Sequence, residues 1–187
     1  GVIKQARESQ RLQVLAVCGA ARGDGASFVA HNLSLAMAEG SALRVARFEI
    51  RESSRAWPET VRHNTDEHFQ IAIRRTPVAN VSEITTLHGG VTLAQLLRGC
   101  DTSVLLDMLR KRFDVVLLDL PAVTVEGEAA QLAAQADGVM IVAQQEGERR
   151  SPITQARMLL AEANANILGV VLNHRREGDG ADVRQVA

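Results

Sequence analysis

Gly23, Gly25 and Ser27 lie directly behind a short apolar run, Val14–Cys18, and at the head of a helical pattern that opens at Ser27. In such a glycine-rich turn, backbone N–H groups and the N-terminus of the next helix can face an anion. Asp24 sits between the two glycines, and the Ser27 hydroxyl stands where a phosphate-binding loop offers a ligand to Mg²⁺. A working loop of this kind carries lysine just before that hydroxyl, to reach the β- and γ-phosphates. Here the position is Ala26, a methyl group. The same glycines are also what a bare strand-to-helix turn requires of its backbone, so the turn alone leaves both interpretations open.

A second constellation is Phe113-Asp114-Val115-Val116-Leu117-Leu118-Asp119-Leu120-Pro121. An apolar strand ending in one aspartate has the pattern of a Walker-B segment, whose carboxylate holds Mg²⁺ directly or through water. Placed at a strand's C-terminal end beside the glycine turn, Asp119 would occupy the region where α/β sheets bind ligands. The plainer alternative is an aspartate that caps the next turn. A third stretch, Arg47-Phe48-Glu49-Ile50-Arg51, follows the second apolar run, and its alternating charges also suit a solvated loop. His63, His68 and His88 fall in an irregular stretch with no completing cysteine or carboxylate set, so no metal site is predicted. Cys18 ends an apolar run and is expected in the core. Cys18 and Cys100 without CxxC spacing suit a reduced, cytosolic setting. The pairs Arg149-Arg150 and Arg175-Arg176 suit either a solvated face or a partner contact.

These residues need a scaffold. Five apolar runs, Val14–Cys18, Leu43–Phe48, Val115–Asp119, Gly138–Ala143 and Ile167–Leu172, have the composition of parallel strands covered on both faces. Helical patterns fall between them. Ser27–Glu39 places Val29, Leu33, Ala36 and Met37 on one side, with Gly40 as its stop. Thr102–Lys111 repeats leucines, Glu126–Gln135 is alanine-rich, and Ser151–Ala163 opens with Ser151 as N-cap and Pro152 at the first helical position. Phe69–Ile73 suits a short strand and Leu93–Leu97 a helical turn or two within the less regular Arg51–Gly99 stretch. The alternation predicts a doubly wound α/β fold with a mostly parallel sheet flanked by helices. The 187 residues suit a single domain with its core over about residues 12–174 and fraying ends. A chain that opens on Gly1 rather than Met is expected to be a fragment or to carry a cleavage scar. A formal net charge of −1 gives no global attraction to nucleic acid or anionic lipid, and no apolar run approaches membrane-spanning length.

In this order the pieces resemble the MinD/ParA-like P-loop superfamily, and within it the bacterial tyrosine kinases (BY-kinases) of capsule and exopolysaccharide export. The resemblance rests on Arg112–Val123, on Ala136-Asp137-Gly138-Val139-Met140-Ile141-Val142, on Ile167–Asn173, on Gly23-Asp24-Gly25-x-Ser27 and on His31-Asn32-Leu33-Ser34-Leu35-Ala36. It implies a vestigial nucleotide pocket formed by Gly23, Asp24, Gly25, Ala26 and Ser27, with Asn173 against the adenine, Ser27 and Asp119 as the vestige of a Mg²⁺ site, and no working catalytic residue, Asp119 and Glu49 being vestiges of that machinery. The departures concern phosphate chemistry. Ala26 replaces the lysine, Arg22 stands where proline or a small residue is usual, and Phe28 replaces a common threonine. Arg47-x-Glu49-x-Arg51 replaces Asp-x-Asp-x-Arg. The family's own substrate is a C-terminal tyrosine cluster, and these 187 residues contain no tyrosine. Its Glu-x-x-Arg-x-x-Arg ring-forming pattern is not matched, since Glu8 and Arg11 are followed by Val14.

Loss of one preorganised stabilising group typically costs about 10²–10³ in rate, and two are missing here. The resemblance therefore implies a vestigial nucleotide pocket in a non-catalytic protein. No cofactor is expected, with residual ATP or ADP binding left open. The implied setting is cytoplasmic, peripheral at the inner membrane through a partner. That partner would be a membrane polysaccharide co-polymerase (chain-length determinant) or an active BY-kinase homologue, with homo-oligomerisation open and nucleic acid excluded. Two alternatives stand beside it. One is a weak ATPase or tyrosine kinase in which Arg22 or Arg47 replaces the lysine while Asp119 holds Mg²⁺. The other is a spatial regulator of the MinD/ParA type, disfavoured because residues 174–187 hold too few apolar side chains for an amphipathic membrane helix.

Overall fold

The computed structural model describes residues 12–49, 61–64, 70–86, 92–99, 101–144 and 150–174. The chain forms strands β1 (Val14–Gly19), β2 (Val45–Glu49), β3 (Val61–Asn64), β4 (Gln70–Arg75), β5 (Val81–Thr86), β6 (Val115–Leu120), β7 (Gly138–Gln144) and β8 (Ile167–Asn173). The helices are α1 (Ala26–Ala38), α2 (Leu93–Gly99), α3 (Thr102–Arg112), α4 (Glu128–Ala133) and α5 (Arg150–Glu162). All eight strands join one sheet in the order β3-β4-β5-β2-β6-β1-β7-β8. From β5 to β8 neighbours run parallel, whereas β4 is antiparallel to both β3 and β5.

The alternation of side chains along a strand divides the core in two. On one face Val14, Ala16 and Cys18 of β1 pack with Val116, Leu118, Ile141 and Leu105, Leu106 and Leu109 of α3. On the other, Leu15 and Val17 meet residues carried by or next to α1. Every residue of β1 and β6 is buried, which explains why both read as unbroken apolar runs.

Three details depart from the sequence pattern. The most buried line of α1 is Ala30, Ser34 and Ala38, while Ala36 is exposed. Small side chains at i, i+4 and i+8 let the helix lie close on the sheet, and Val29, Leu33 and Met37 flank that line as half-buried side chains. Helix α5 begins at Arg150, so Ser151 is an internal residue rather than the N-cap. Pro152 still falls in the first turn, where its missing N–H removes no helical bond. Strands β3 and β5 interrupt what reads as an irregular stretch. At the C-terminal end of α1, Gly40 stops the helix as expected, at φ +63°. Helix α3 is capped by Asp101, whose carboxylate accepts from the Ser103 and Val104 N–H groups.

Asp137 ties the start of the central strand to its surroundings. Its Oδ2 accepts from the backbone N–H of Gln13 (2.8 Å) and of Val14 (2.7 Å), and its Oδ1 accepts from Arg110 Nη2 (2.9 Å). Asp137→Ala strands two N–H groups at the edge of the core, and is expected to lower the unfolding free energy by about 2 kcal/mol in urea titrations.

Candidate functional site

The C-terminal ends of β1, β2 and β6 share one rim of the sheet, and the sequence-predicted residues gather there. After β1 the chain turns through Gly23 (φ +89°) and Gly25 (φ +86°) into α1. Both values lie in the left-handed region, so glycine is required at each for the turn itself. Gly25 has a second reason: a Cβ there would come within 2.2 Å of Asn173 Nδ2. That same Asn173 nitrogen donates to the Asp24 carbonyl at 2.9 Å, so the last strand holds the loop. Asp24, 3 % exposed, turns its carboxylate inward, where Oδ2 accepts from Ala21 N–H at 2.6 Å and Oδ1 from Gln144 N–H at 3.4 Å. Ala26 packs its methyl against the cluster of Val17, Ala30, Met140 and Val142. Arg22, by contrast, is exposed.

Beside the loop, Asp119 is nearly sealed from solvent, its side chain 1 % exposed. Its Oδ1 accepts from Ser27 Oγ at 2.8 Å. Its Oδ2 accepts from Arg47 Nη1 at 3.3 Å. The Arg47 side chain, 11 % exposed, also donates from Nη2 to Glu83 Oε1 at 2.8 Å and has Glu49 Oε2 at 3.7 Å. Arg74 donates to the second oxygen of Glu83. Parallel pairing of β2 with β5, and antiparallel pairing of β4 with β5, put Arg47 and Arg74 each opposite Glu83. The outcome is a row of alternating charge, Arg74–Glu83–Arg47–Asp119, across four strands on the α1 face and ending on Ser27.

Burial works against an ionised Glu83. The hydrogen bonds and positive charges of Arg47 and Arg74 outweigh it and hold the carboxyl below its ordinary value of 4.5. At Cys18, whose thiol donates to the Met140 carbonyl at 3.8 Å, burial pushes the pKa up to about 12, which suits the core role expected of it.

The sequence places Gly23, Asp24, Gly25, Ala26, Ser27, Asp119, Glu49 and Asn173 in one site, and the fold brings them to one rim. Glu49 pairs in register with Asp119. Arg51, His68, His88, Cys100, Arg149, Arg175 and Arg176 lie outside the described residues. Glu83 and Arg74 are the members that sequence reasoning missed. Their role follows from β5 lying beside β2, an adjacency that no local pattern announces. Among the described residues no cluster of three or more His, Cys, Asp or Glu side chains is arranged to hold a metal ion. An open groove of about 740 Å³ at the opposite rim, between the end of α1 and the β4–β5 turn, has Glu39 as its single charged lining residue and offers no comparable chemistry.

No protein-family model and no curated protein matches the sequence. Solved structures do match. The kinase domain of the Escherichia coli tyrosine kinase ETK superposes with a TM-score of 0.75 at 18 % identity, covering 99 % of this chain and 76 % of that one. The BceF tyrosine kinase domain gives 0.74 at 23 % identity, over 92 % and 73 %. The fold is that of the BY-kinase domains and the MinD/ParA-type P-loop ATPases. The septum site-determining protein MinD from Pyrococcus horikoshii, complexed with Mg-ADP, gives 0.63 at 18 % identity, over 86 % and 69 %.

Ser27 and Asp119 are the pair that the sequence resemblance assigns to Mg²⁺, but the surrounding donors do not suit the ion. Mg²⁺ takes oxygen ligands in near-ideal octahedral geometry, whereas one Asp119 oxygen here accepts from a guanidinium. A divalent ion at that carboxylate would also be repelled by the guanidinium charge of Arg47. Phosphate would find a buried carboxylate, Asp24, within the loop and a methyl at Ala26.

Two outcomes test the row. Asp119→Ala leaves Arg47 buried with one carboxylate fewer, and is expected to cost about 3 kcal/mol of unfolding free energy by chemical denaturation. Because Glu83 has a lowered pKa in the folded state, the stability it adds is present above about pH 4.5 and is lost as pH falls through the folded value. Unfolding free energies measured from pH 7 to pH 3 should therefore decline in the acid range less steeply in Glu83→Gln than in the wild type.

Proposed function

We propose that this chain is a non-catalytic BY-kinase-like protein of bacterial exopolysaccharide or capsule biosynthesis and export. It acts as an adaptor or regulator at the cytoplasmic ends of a membrane polysaccharide co-polymerase, directly or through an active BY-kinase homologue. The observation that carries the proposal is the rim itself. Enzymatic phosphoryl transfer depends on positioned positive charge around the phosphates. At the lysine position this chain has a methyl facing the core, and beside the metal-type aspartate it has a fixed guanidinium. The P-loop scaffold around them is complete, with a fully buried β1 and a loop fastened by Asn173 and Asp24. A fold kept whole while its phosphate ligands are replaced supports use of its surface rather than of its pocket. The placement in polysaccharide export rests on the sequence resemblance, to which the likeness to tyrosine-kinase domains adds the shared fold.

Protein kept at millimolar Mg-ATP is expected to show no hydrolysis above background and no saturable binding by calorimetry. It should be retained on an immobilised peptide from the cytoplasmic end of a co-polymerase or on an active homologue. Hydrolysis that disappears in Asp119→Asn would instead establish an enzyme with a non-standard loop.

A further inference from the structure

We propose that Arg47 is a built-in replacement for the divalent cation of this site, so that Asp119 and Ser27 are engaged by the protein's own charge and the rim is held together without metal or nucleotide. The inference deepens the non-catalytic reading and rests on it for the meaning of the site, though its test is independent of any partner.

The geometry has the features that a substitute cation needs. Arg47 reaches the carboxylate that also accepts from the loop hydroxyl, so loop, β6 and β2 are joined through Asp119. A bound cation would join the same Ser27 and Asp119. The guanidinium is not free to swing aside. Glu83 holds Nη2 at 2.8 Å, Glu49 lies at 3.7 Å, and Arg74 fixes Glu83 from the far side. Its Nε is buried and has no hydrogen-bond partner among the described residues, a cost that persists because the two terminal nitrogens are held at Asp119 and Glu83. Glu49, Glu83 and Asp119 bring three carboxylates to the two guanidiniums of Arg47 and Arg74, and Arg47 lies against all three. Removing Arg47 would take a positive charge away from the Asp119 carboxylate, whose other oxygen faces the Ser27 hydroxyl. Arginine rather than lysine suits the place, since its planar fork can address two carboxylates at once. Arg47 ties β2 to β6 through Asp119, and Ser27 ties α1 to the other oxygen of the same carboxylate, so the segments that a bound cation would gather are joined by side chains.

The probe is Mn²⁺, followed by electron paramagnetic resonance and by its effect on thermal unfolding. The wild type is expected to bind no Mn²⁺ at 1 mM at this site, and its melting temperature should be the same in Mg²⁺ and in EDTA. Arg47→Asp and the milder Arg47→Gln should each gain Mn²⁺ binding by at least about tenfold and show a melting temperature that rises with the metal, and Asp119→Asn in either background should abolish the gain. Wild-type Mn²⁺ binding that Asp119→Asn removes would overturn the proposal. So would Arg47→Gln protein that folds and gains no affinity. If neither Arg47 variant folds, ¹⁵N NMR of the wild type decides. Arg47 Nη resonances with hindered rotation, lost in Asp119→Asn, support the proposal, and a freely rotating guanidinium overturns it. An enzyme with a non-standard loop would show itself instead as ATP hydrolysis, a readout that leaves the Mn²⁺ result standing, and a failure to capture a co-polymerase likewise bears on the partner alone.

Discussion

Arg47 lies between Asp119 at 3.3 Å and Glu83 at 2.8 Å, nearly out of reach of water, and the character of the whole rim follows from that position. Taking a guanidinium and two carboxylates out of water is costly, and their attraction offsets the cost only when each is well placed. The sheet supplies the placement. Arg47, Glu83 and Arg74 meet because their strands are in register, and Asp119 meets Arg47 because β6 lies on the other side of β2. An apolar row of the same volume would be as stable or more so. What the charged row adds is intolerance of error. A one-residue slip of β5 would turn Glu83 to the opposite face, among Ile71, Ile84 and Phe48, and leave two arginines without their shared partner. The row thus fixes the order β4-β5-β2-β6 more sharply than apolar packing could.

The same interaction ties the rim to the loop. Asp119 divides its two oxygens between Arg47 and Ser27, so β2 and the first turn of α1 are joined through a single carboxylate. From the other side Asn173 and Gln144 reach Asp24, bringing β8 and β7 to the same loop. The turn is held by the side chains of Asp119 and Asn173, from β6 and β8, and by the Gln144 N–H of β7. That accounts for the coexistence of two strained-looking glycines with a firmly fastened backbone: their φ values fit the turn at no steric cost, and the neighbours supply the bonds.

How much of this was legible in the sequence depended on what each residue answers to. β1, β6 and β7 were readable because a parallel strand covered on both faces must be apolar along its length, whereas β8, equally apolar and expected to be covered in the same way, is an edge strand with Val170 and Leu172 exposed. β5 was not readable, since Glu83 and Thr85 break its apolar character, and Glu83 is accommodated by Arg47 and Arg74 on the strands to either side. The loop glycines, Ser27 and Asp119 carry a spacing that chemistry imposes, so their meeting could be foreseen. The partners of Arg47 could not. Arg47 reads as one member of an alternating, solvated stretch, and its burial appears only when the sheet order places a carboxylate on each side. The line of Ala30, Ser34 and Ala38 on α1 was missed for a related reason: hydrophobicity marks the flanks of a close helix–sheet contact, while smallness marks its centre.

Fold and chemistry separate cleanly at this rim. The match to tyrosine-kinase domains over almost the whole chain is a property of the core, of which β1 and β6 are the centre. The electrostatics of the rim belong to a few side chains that the core does not constrain, and so the same scaffold can carry them with either sign. Ala26 and Arg47 also differ in kind. A methyl at position 26 offers an anion no attraction and leaves the turn's backbone in place. A guanidinium against Asp119 occupies that carboxylate and opposes a cation there. An amine introduced at position 26 would leave that opposition intact. Because Arg47 is held by Glu83 as well as by Asp119, the opposition is built into three strands of the sheet rather than into the loop. Seen this way, the site is less an emptied pocket than a closed electrostatic circuit, and whatever the protein does must be done with that circuit closed.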